Sequence, residues 1–451
     1  MDSTKILATF AVETPINRIP GWTLHEAKRC LINYLAVSLY ATFSTPSNIL
    51  AEWLQEEGGS PQATVIGRGL RTNLRNASLL NGYLAHLEDY DDTHFPTVIH
   101  PSAVVWPAVF AIAESRKLSG ANALVAFVLG VEACCRVSLS VHPWHYDQGW
   151  HITSTAGVFG SVVGAGRLLG LSVPQMTHAL GIAGTQALGL RESFGTMAKA
   201  YHPGRAASAG LESAALAGKG FTGAESILEG RRGFWEVMSS AGHDESAISD
   251  ALGERWELKN NGLKPYSCGV VSHPLQDAVI SLRNAHSIQP NQVQAIHART
   301  HPLVLELINR PEAKTGLEGK FSFQHSVAAA LVDGAGYPSQ YTDERVADPT
   351  IVSVRSKVTA TSDTSLGEDE TYLTITLSDG RTLEQHVAHA TGSPSNPMTD
   401  EALEIKFRTL AAAVLPDDQA ERLLQAAWAM DTAPNLDELA KLATSPQAKS
   451  A

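Results

Sequence analysis

Apolar residues recur at helical spacing through the first 260 residues of this 451-residue chain. A half-exposed strand would show alternation instead, and no strong alternating run interrupts the region. The segment TLHE (23–26) has the form of a capping box and predicts the start of a helix of about five turns. Gly157, Gly160 and Gly164 share one helical spacing and predict close helix packing. Further helices are predicted at 74–88, 101–117, 120–140, 152–169, 173–188 and 205–219.

The pattern changes after about residue 265. Segments 292–300 and 351–359 are rich in β-branched or alternating residues and predict strands, and 372–387 predicts a hairpin that turns at Ser378-Asp379-Gly380. Helical spacing is found at 276–285 and 321–332, and it returns at about residue 400 and again at 418–430. The sequence therefore predicts a mostly α fold with a smaller inserted α+β domain. The predicted bounds are 1–265 with 400–445 for the helical domain, 266–399 for the α+β domain and 446–451 for a flexible tail.

Charge and cysteine content exclude several classes of protein. Thirty-four Lys and Arg face 46 Asp and Glu, so the chain has a formal charge of −12 and offers no basic field for nucleic acid or an anionic membrane. The four cysteines fit neither a disulfide framework nor zinc spacing, which favours a reducing, cytoplasmic location. The longest uninterrupted apolar runs, 103–113 and 123–131, are too short to span a bilayer, and the N-terminus shows no signal peptide.

The stretch AHLEDYDDTHFPTVIHPSA (85–103) concentrates three aspartates, two threonines and three histidines between two predicted helices. Such density is unusual in a chain that is only 18% charged, and it fits either a solvated surface loop or a functional site. Its acids and histidines, or the pair at His142 and His145, offer possible metal ligands, but their spacing matches no known metal site, so no metal is predicted. The possible ligands in the stretch are Asp89, Asp91, Asp92, His94 and His100.

Two further segments carry cations that could bind an anionic ligand. FGTMAKAYHPGR (194–205) is predicted to be a loop that ends where a helix begins, and it carries Lys199, His202 and Arg205. LKPYSCGVVSH (263–273) places Lys264 and Tyr266 near the predicted domain boundary, where ligand clefts often form.

Several histidines precede proline, which favours the first position of a helix. A helix N-terminus opposes protonation of an imidazole, so these histidines are candidates for neutral bases. They are His100, His142, His202, His273 and His301. Motifs for nucleotide binding, a nucleophile elbow and H-E-x-x-H are not found, so no cofactor is predicted.

Together these segments resemble the MmgE/PrpD family, which includes 2-methylcitrate dehydratase, cis-aconitate decarboxylase and iminodisuccinate epimerase. The matching pieces follow the family's order along the chain. They are NGYLAHLEDYDDTHFPTVIHPSA (81–103), GWHITSTAGVFG (149–160), FGTMAKAYHPGRAA (194–207), LKPYSCGVVSHPLQDA (263–278) and KFSFQHSVAAALVDG (320–334). The resemblance implies a large helical domain, a smaller α+β domain, a homodimer and cofactor-independent chemistry beside a carboxylate.

The resemblance also implies which residues act. The functional positions of the decarboxylase branch fall on Asp89, Thr93, His100, His151, Lys199 and Lys264. The branch's tyrosine falls on His325, and the loop between Thr93 and His100 is one residue longer here. His100 and His151 are expected to be the acid and the base, with Asp89 orienting an imidazole, Thr93 bonded to substrate and His325 replacing the tyrosine as proton donor. The residues expected to bind substrate carboxylates are Lys199, His202, Arg205, Lys264 and Tyr266.

The leading hypothesis is a metal-independent lyase that acts on a small di- or tricarboxylate, by dehydration of a 2-methylcitrate- or alkylcitrate-like substrate. Decarboxylation of an aconitate and epimerisation of an amino-dicarboxylate are the alternatives within the family. A metal-dependent hydrolase and a noncatalytic helical scaffold are the alternatives from other classes.

Overall fold

Helices form most of the first 260 residues of the computed structural model, which describes residues 2–445. They are α1 (Ser3–Glu13), α2 (Gly21–Ala41), α3 (Thr45–Glu57), α4 (Leu74–Leu87), α5 (Pro101–Ser115), α6 (Gly120–Val141), α7 (Trp144–Asp147), α8 (Ile152–Thr155), α9 (Gly157–Leu169), α10 (Val173–Gly184), α11 (Ala198–Gly218), α12 (Phe234–Met238) and α13 (Ser246–Ser249). All the predicted helices are present. Two helix starts were predicted too late. Helix α2 begins at Gly21, and Thr23 Oγ1 donates to the Pro20 carbonyl instead of capping the helix. Helix α11 begins at Ala198.

Two short strand pairs correct the prediction that this region is all-helical. β1 (Ala63–Thr64) pairs with β2 (Arg71–Thr72), and β3 (Thr93–His94) pairs with β4 (Asn261–Gly262), both antiparallel. The pair β3–β4 joins the polar stretch 85–103 to the segment that leads into Lys264.

Close backbone approach between helices organises the larger core. A Cβ on Gly160 of α9 would lie 2.7 Å from the Gly130 carbonyl oxygen of α6, and a Cβ on Gly204 of α11 would lie 2.4 Å from the Leu79 carbonyl oxygen of α4. The predicted tight packing of the 152–169 segment is therefore confirmed, and it occurs within one chain. The contact between α11 and α4 brings the start of α11 beside the end of α4.

The smaller α+β part contains a four-stranded sheet in the order β6-β5-β7-β8. The strands are β5 (Val293–Thr300), β6 (Val358–Ser362), β7 (Thr371–Leu377) and β8 (Thr382–Val387). β5 runs parallel to β6 and antiparallel to β7, and β7 and β8 form the predicted hairpin, with Gly380 at φ 87°. The helices here are α14 (His273–His286), α15 (Pro302–Leu307), α16 (Gly316–Gly319), α17 (Phe323–Asp333), α18 (Asp343–Val346) and α19 (Pro349–Arg355).

The predicted strand at 351–359 was wrong over its first half. Residues 349–355 form α19, because Asp348 Oδ1 accepts from the amides of Thr350 and Ile351 and Pro349 occupies the first turn. The β-branched residues Ile351 and Val354 nevertheless lie in the core of the smaller part. Local propensity was overridden by capping and packing.

The C-terminal helices return to the larger core. They are α20 (Asp400–Ala411), α21 (Asp417–Trp428) and α22 (Asp437–Leu442). Leu403 and Phe407 of α20 are buried in the same cluster as Leu31 and Leu35 of α2, whereas residues 271–377 supply a separate cluster. The predicted fold class is confirmed. The domain bounds stay a prediction, and the predicted tail at 446–451 lies outside the described residues.

Two helical segments are long and apolar enough to cross a membrane by length and composition, namely 120–141 and 152–169. Within their most apolar windows, 94% and 89% of the residues are buried inside the protein. Such helices are typical of a large core, so they are weak support for a membrane span.

Candidate active site

A cavity lies between the helical part and the α+β part. Its wall brings together six of the ten predicted site residues. These are Asp89, Thr93, His100, His151, Lys199 and Lys264. The remaining wall is formed by Val98, Tyr146, Phe194, Gly269, Val270, Val271, Leu307, Ile308 and Phe321.

Asp89 directly follows α4 and has a left-handed backbone at φ 50°. Its Oδ1 accepts from Lys199 Nζ at 2.6 Å, and its Oδ2 lies 3.5 Å from Lys264 Nζ. Burial acts to raise the pKa of Asp89, but the two lysines outweigh it and hold the pKa well below its usual range. Asp89 is therefore an ionised partner of two lysines, and among the described residues no hydrogen bond joins its carboxylate to an imidazole.

Both lysines are held with little freedom. Lys199 lies in the first turn of α11, not in a loop as predicted, and its Nζ is 5.2 Å from the centroid of the Phe194 ring. Lys264 Nζ also donates to the carbonyls of Asp89 and Cys268, at 2.9 and 3.2 Å. Burial lowers the pKa of Lys199, and Asp89 opposes that shift. The result is a buried wall with two ammonium groups and one carboxylate.

His100 is the N-cap residue of α5, as the following proline predicted. Its Nδ1 lies 2.9 Å from the Asp92 carbonyl oxygen and 3.3 Å from Thr93 Oγ1. A carbonyl oxygen only accepts, so Nδ1 carries the proton and Nε2 has a free lone pair. In its neutral form, His100 therefore has its lone pair at Nε2.

His86 and Asp91 lie directly behind His100. His86 Nδ1 donates to Asp91 Oδ2 at 2.8 Å, and the His86 ring centroid is 4.6 Å from that of His100 and 5.7 Å from that of His151. Burial lowers the pKa of His86 to about 4, with Asp91 opposing the shift. Asp91 was considered only as a possible metal ligand, and no role was predicted for His86. Their only signal was their place in the polar stretch, where Asp91 is fully buried and does not shape an exposed turn.

His151 faces the cavity and contacts His202 behind it. The two Nδ1 atoms are 3.0 Å apart, a distance that requires one proton between them. Burial, followed by the neighbouring His86 and Lys199, lowers the pKa of His151 well below its usual value. His151 is therefore neutral at physiological pH, and His202 supports it without lining the cavity.

A buried lysine of α20 holds two site loops together. Lys406 Nζ donates to the Tyr90 carbonyl at 2.9 Å, to the Lys264 carbonyl at 2.8 Å and to Asn33 Oδ1 at 2.7 Å. The residues after Asp89 and the backbone of Lys264 are thus tied to one point. Nothing in the local sequence of α20 indicated this function, because it depends on a partner more than 100 residues away.

Besides His202, three predicted site residues are absent from the cavity wall. His325 Nε2 donates to the Gln340 carbonyl at 2.8 Å inside the smaller part, so the structure does not place the expected proton donor at the cavity. The Tyr266 hydroxyl donates to Asp277 Oδ1 at 2.6 Å and is outside the cavity wall. Arg205 lies on α11 and is half-buried outside the cavity wall.

The histidine–proline prediction holds at some positions only. His301 is an N-cap residue of α15, and His273 is the first residue of α14. His142 instead ends α6, and His202 lies inside α11. Proline after histidine therefore marks a helix start in three of the five cases, His100 included.

Four side chains offer donor atoms within 4.8 Å of one another, namely His86, Asp89, Asp91 and His100. They fit a divalent cation poorly. The Asp89 carboxylate already binds two ammonium groups, and His86 and Asp91 share a hydrogen bond. A cation placed here would meet the charge of both lysines.

Comparison with known proteins covers nearly the whole chain. The family model of the MmgE/PrpD N-terminal domain matches residues 5–246, and that of the MmgE/PrpD C-terminal domain matches residues 266–432. The chain is 26% identical to cis-aconitate decarboxylase of Mus musculus, over 96% of this chain and 91% of that protein. It is 26% identical to cis-aconitate decarboxylase of Aspergillus terreus, over 98% and 96%. It is 24% identical to 2-methylcitrate dehydratase of Cupriavidus necator, over 90% and 89%.

Proposed function

The chain belongs to the MmgE/PrpD family, and from that premise we propose that it is a cofactor-independent lyase of a small di- or tricarboxylate. One observation carries the proposal. Two lysine ammonium groups and an unprotonated imidazole nitrogen converge on one buried cavity. These groups are the ones that carboxylate binding and proton abstraction beside a carboxylate require.

Lys199 and Lys264 bind the substrate carboxylates in this proposal. They place two positive charges against the single negative charge of Asp89, so the trio keeps one positive charge for a ligand. Because the cavity is buried, charge-assisted bonds there are stronger than in water. Thr93 contributes a hydroxyl at the same wall.

His100 is the base. Its Nε2 removes a proton from the carbon beside a carboxylate, and the negative charge that develops on that carboxylate is stabilised by the lysines. The C–H electron pair then forms the double bond as the C–O bond to the hydroxyl breaks. His151, neutral and adjacent, orients the substrate from the opposite side of the histidine cluster.

The cavity wall favours a substrate that has an apolar side. The α+β part supplies an apolar surface from Val270, Val271, Leu307, Ile308 and Phe321. An alkyl substituent would be buried there at a gain of about 0.8 kcal/mol per methylene. This surface supports dehydration of a 2-methylcitrate- or alkylcitrate-like substrate as the first candidate reaction.

Decarboxylation of a cis-aconitate-like substrate is the second candidate. The similar proteins of Mus musculus and Aspergillus terreus are named cis-aconitate decarboxylases. The difference at His325 does not count against this reaction, because His325 lies outside the cavity. An apolar wall would also weaken solvation of the carboxylate that leaves.

The same premise extends to location and assembly. The four cysteines are buried and free, which is typical of a reducing compartment, and this supports a cytoplasmic protein.

A homodimer is the assembly expected from the family. Light scattering of the purified protein after gel filtration tests the dimer, and a mass of one 48.1 kDa chain would contradict it.

Proton NMR in deuterated buffer tests the function. The chelator-treated protein is incubated with citrates, aconitates and imino-dicarboxylates. An unsaturated product formed without loss of carbon dioxide reports dehydration, loss of carbon dioxide reports decarboxylation, and deuterium uptake alone reports epimerisation. Activity that is lost on chelation and restored by a metal would favour the hydrolase class, and silence across the panel would favour a noncatalytic scaffold.

A further inference from the structure

Tyr146 lies in the cavity wall although no sequence pattern singled it out. It belongs to the short helix α7 and is 7% exposed. Among the described residues, no hydrogen-bond partner of its hydroxyl is found, whereas the hydroxyls of Tyr90, Tyr266 and Tyr341 all donate to protein acceptors. Tyr146 thus retains an unused donor at the wall of the cavity.

The ring of Tyr146 is held in place by Arg191. The guanidinium carbon lies 4.0 Å from the ring centroid, and Arg191 Nη1 donates to the Tyr146 carbonyl at 2.9 Å. Arg191 Nη2 also lies 3.4 Å from Glu306 Oε1 in the α+β part. The phenol is therefore fixed by stacking and by a backbone contact, and its hydroxyl is left for a ligand.

The proposed lyase reaction needs a proton donor, a role that the other polar cavity residues suit less well. Lys199 Nζ is already bound to Asp89 Oδ1. His100 presents a lone pair at Nε2. His151 is neutral, and a neutral imidazole gives up its last N–H proton far less readily than a phenol does. Lys264 already donates to two carbonyls, and His325 is outside the cavity.

Resting on the proposed function, we propose that the Tyr146 hydroxyl is the proton donor to the substrate. In a dehydration the C–O bond breaks, the leaving oxygen takes the phenolic proton to form water, and the phenolate recovers the proton that His100 removed. In a decarboxylation the C–C bond to the carboxylate breaks, carbon takes the phenolic proton, and the phenolate is reprotonated by solvent.

The electrostatic surroundings suit this role. Burial, reinforced by the charge of Asp89 and opposed by Arg191, raises the pKa of Tyr146 to about 12. The phenol is therefore protonated at neutral pH and ready to donate. The stacked guanidinium stabilises the phenolate while it exists.

Tyr146→Phe tests the proposal, with Tyr372→Phe on the exposed face of β7 as the matched control. We expect kcat of Tyr146→Phe to fall by about 10²- to 10⁴-fold with KM changed less than about threefold, and Tyr372→Phe to match the wild type. A substrate analogue with fluorine in place of the leaving hydroxyl still needs the base, but its leaving group departs as fluoride and needs no proton. If the reaction is a dehydration, the analogue should react at similar rates with the wild type and Tyr146→Phe.

Fluorotyrosine at position 146 keeps the ring and tests both reactions. Its more acidic phenol should shift the alkaline fall in kcat to lower pH, and an unchanged pH profile would overturn the inference. A kcat of Tyr146→Phe within about threefold of the wild type would do the same. An active wild type with either result refutes the role of Tyr146 alone, whereas a wild type inactive on every carboxylate refutes the proposed function as well.

Discussion

Replacing Lys199 by Met should destabilise the fold as well as weaken substrate binding. Lys199 and Asp89 are 10% and 5% exposed in their side chains and form an ion pair at 2.6 Å. Removing one partner of a buried pair costs about 3–5 kcal/mol, because the other charge is left uncompensated. Lys264 Nζ remains 3.5 Å from Asp89 Oδ2 and still compensates part of its charge. We therefore expect a loss at the low end of this range, about 3 kcal/mol. Urea denaturation measures this loss of unfolding free energy.

The double variant Lys199→Met/Asp89→Asn separates charge from packing. Because no unpaired carboxylate remains, the unfolding free energy should return to within about 1–2 kcal/mol of the wild type. Activity should not return, since the carboxylate-binding cation is absent. One charge-assisted bond of about 1.5–3 kcal/mol corresponds to a fall in kcat/KM of roughly 10- to 150-fold.

Lys117→Met is the matched control. Lys117 pairs with Asp437 at the surface, where the two side chains are 63% and 47% exposed. Such a pair contributes at most about 1 kcal/mol. The reasoning fails if Lys199→Met unfolds within about 1 kcal/mol of the wild type, or if the double variant is no more stable than the single one.

Three further predictions concern the base, the helix contact and pH. His100→Gln keeps a donor for the Asp92 carbonyl but has no basic nitrogen, so kcat/KM should fall by about 10²- to 10⁴-fold at unchanged melting temperature; wild-type turnover would remove His100 from the mechanism. Gly204→Ala forces a Cβ to 2.4 Å from the Leu79 carbonyl oxygen, and urea denaturation should show a loss of about 1–3 kcal/mol. Burial lowers the pKa of several histidines below 6.5, so the unfolded state binds more protons between pH 6.5 and about 4. Unfolding free energy should therefore fall on acidification through that window, by up to about 1.4 kcal/mol per pH unit for each histidine, and pH-independent melting would contradict this. The pKa is lowered to about 4 for His86, His145 and His325 and to about 3 for His273.

The sequence by itself determined the helices and the hairpin. Helical spacing and caps are local, and they located α4, α5, α6 and α9 to within a few residues. The turn at Gly380 needs a left-handed backbone, which residue type predicts. Family resemblance identified six residues that line the cavity, because those positions lie in contiguous motifs.

Only the tertiary structure decided how these residues act. Asp89 meets lysines 110 and 175 positions away, and the approach of α11 to α4 at Gly204 makes that contact possible. The same packing places Tyr146 in the cavity and turns His325 toward Gln340. A motif records which side chain a position carries, whereas the direction of that side chain depends on contacts between distant segments.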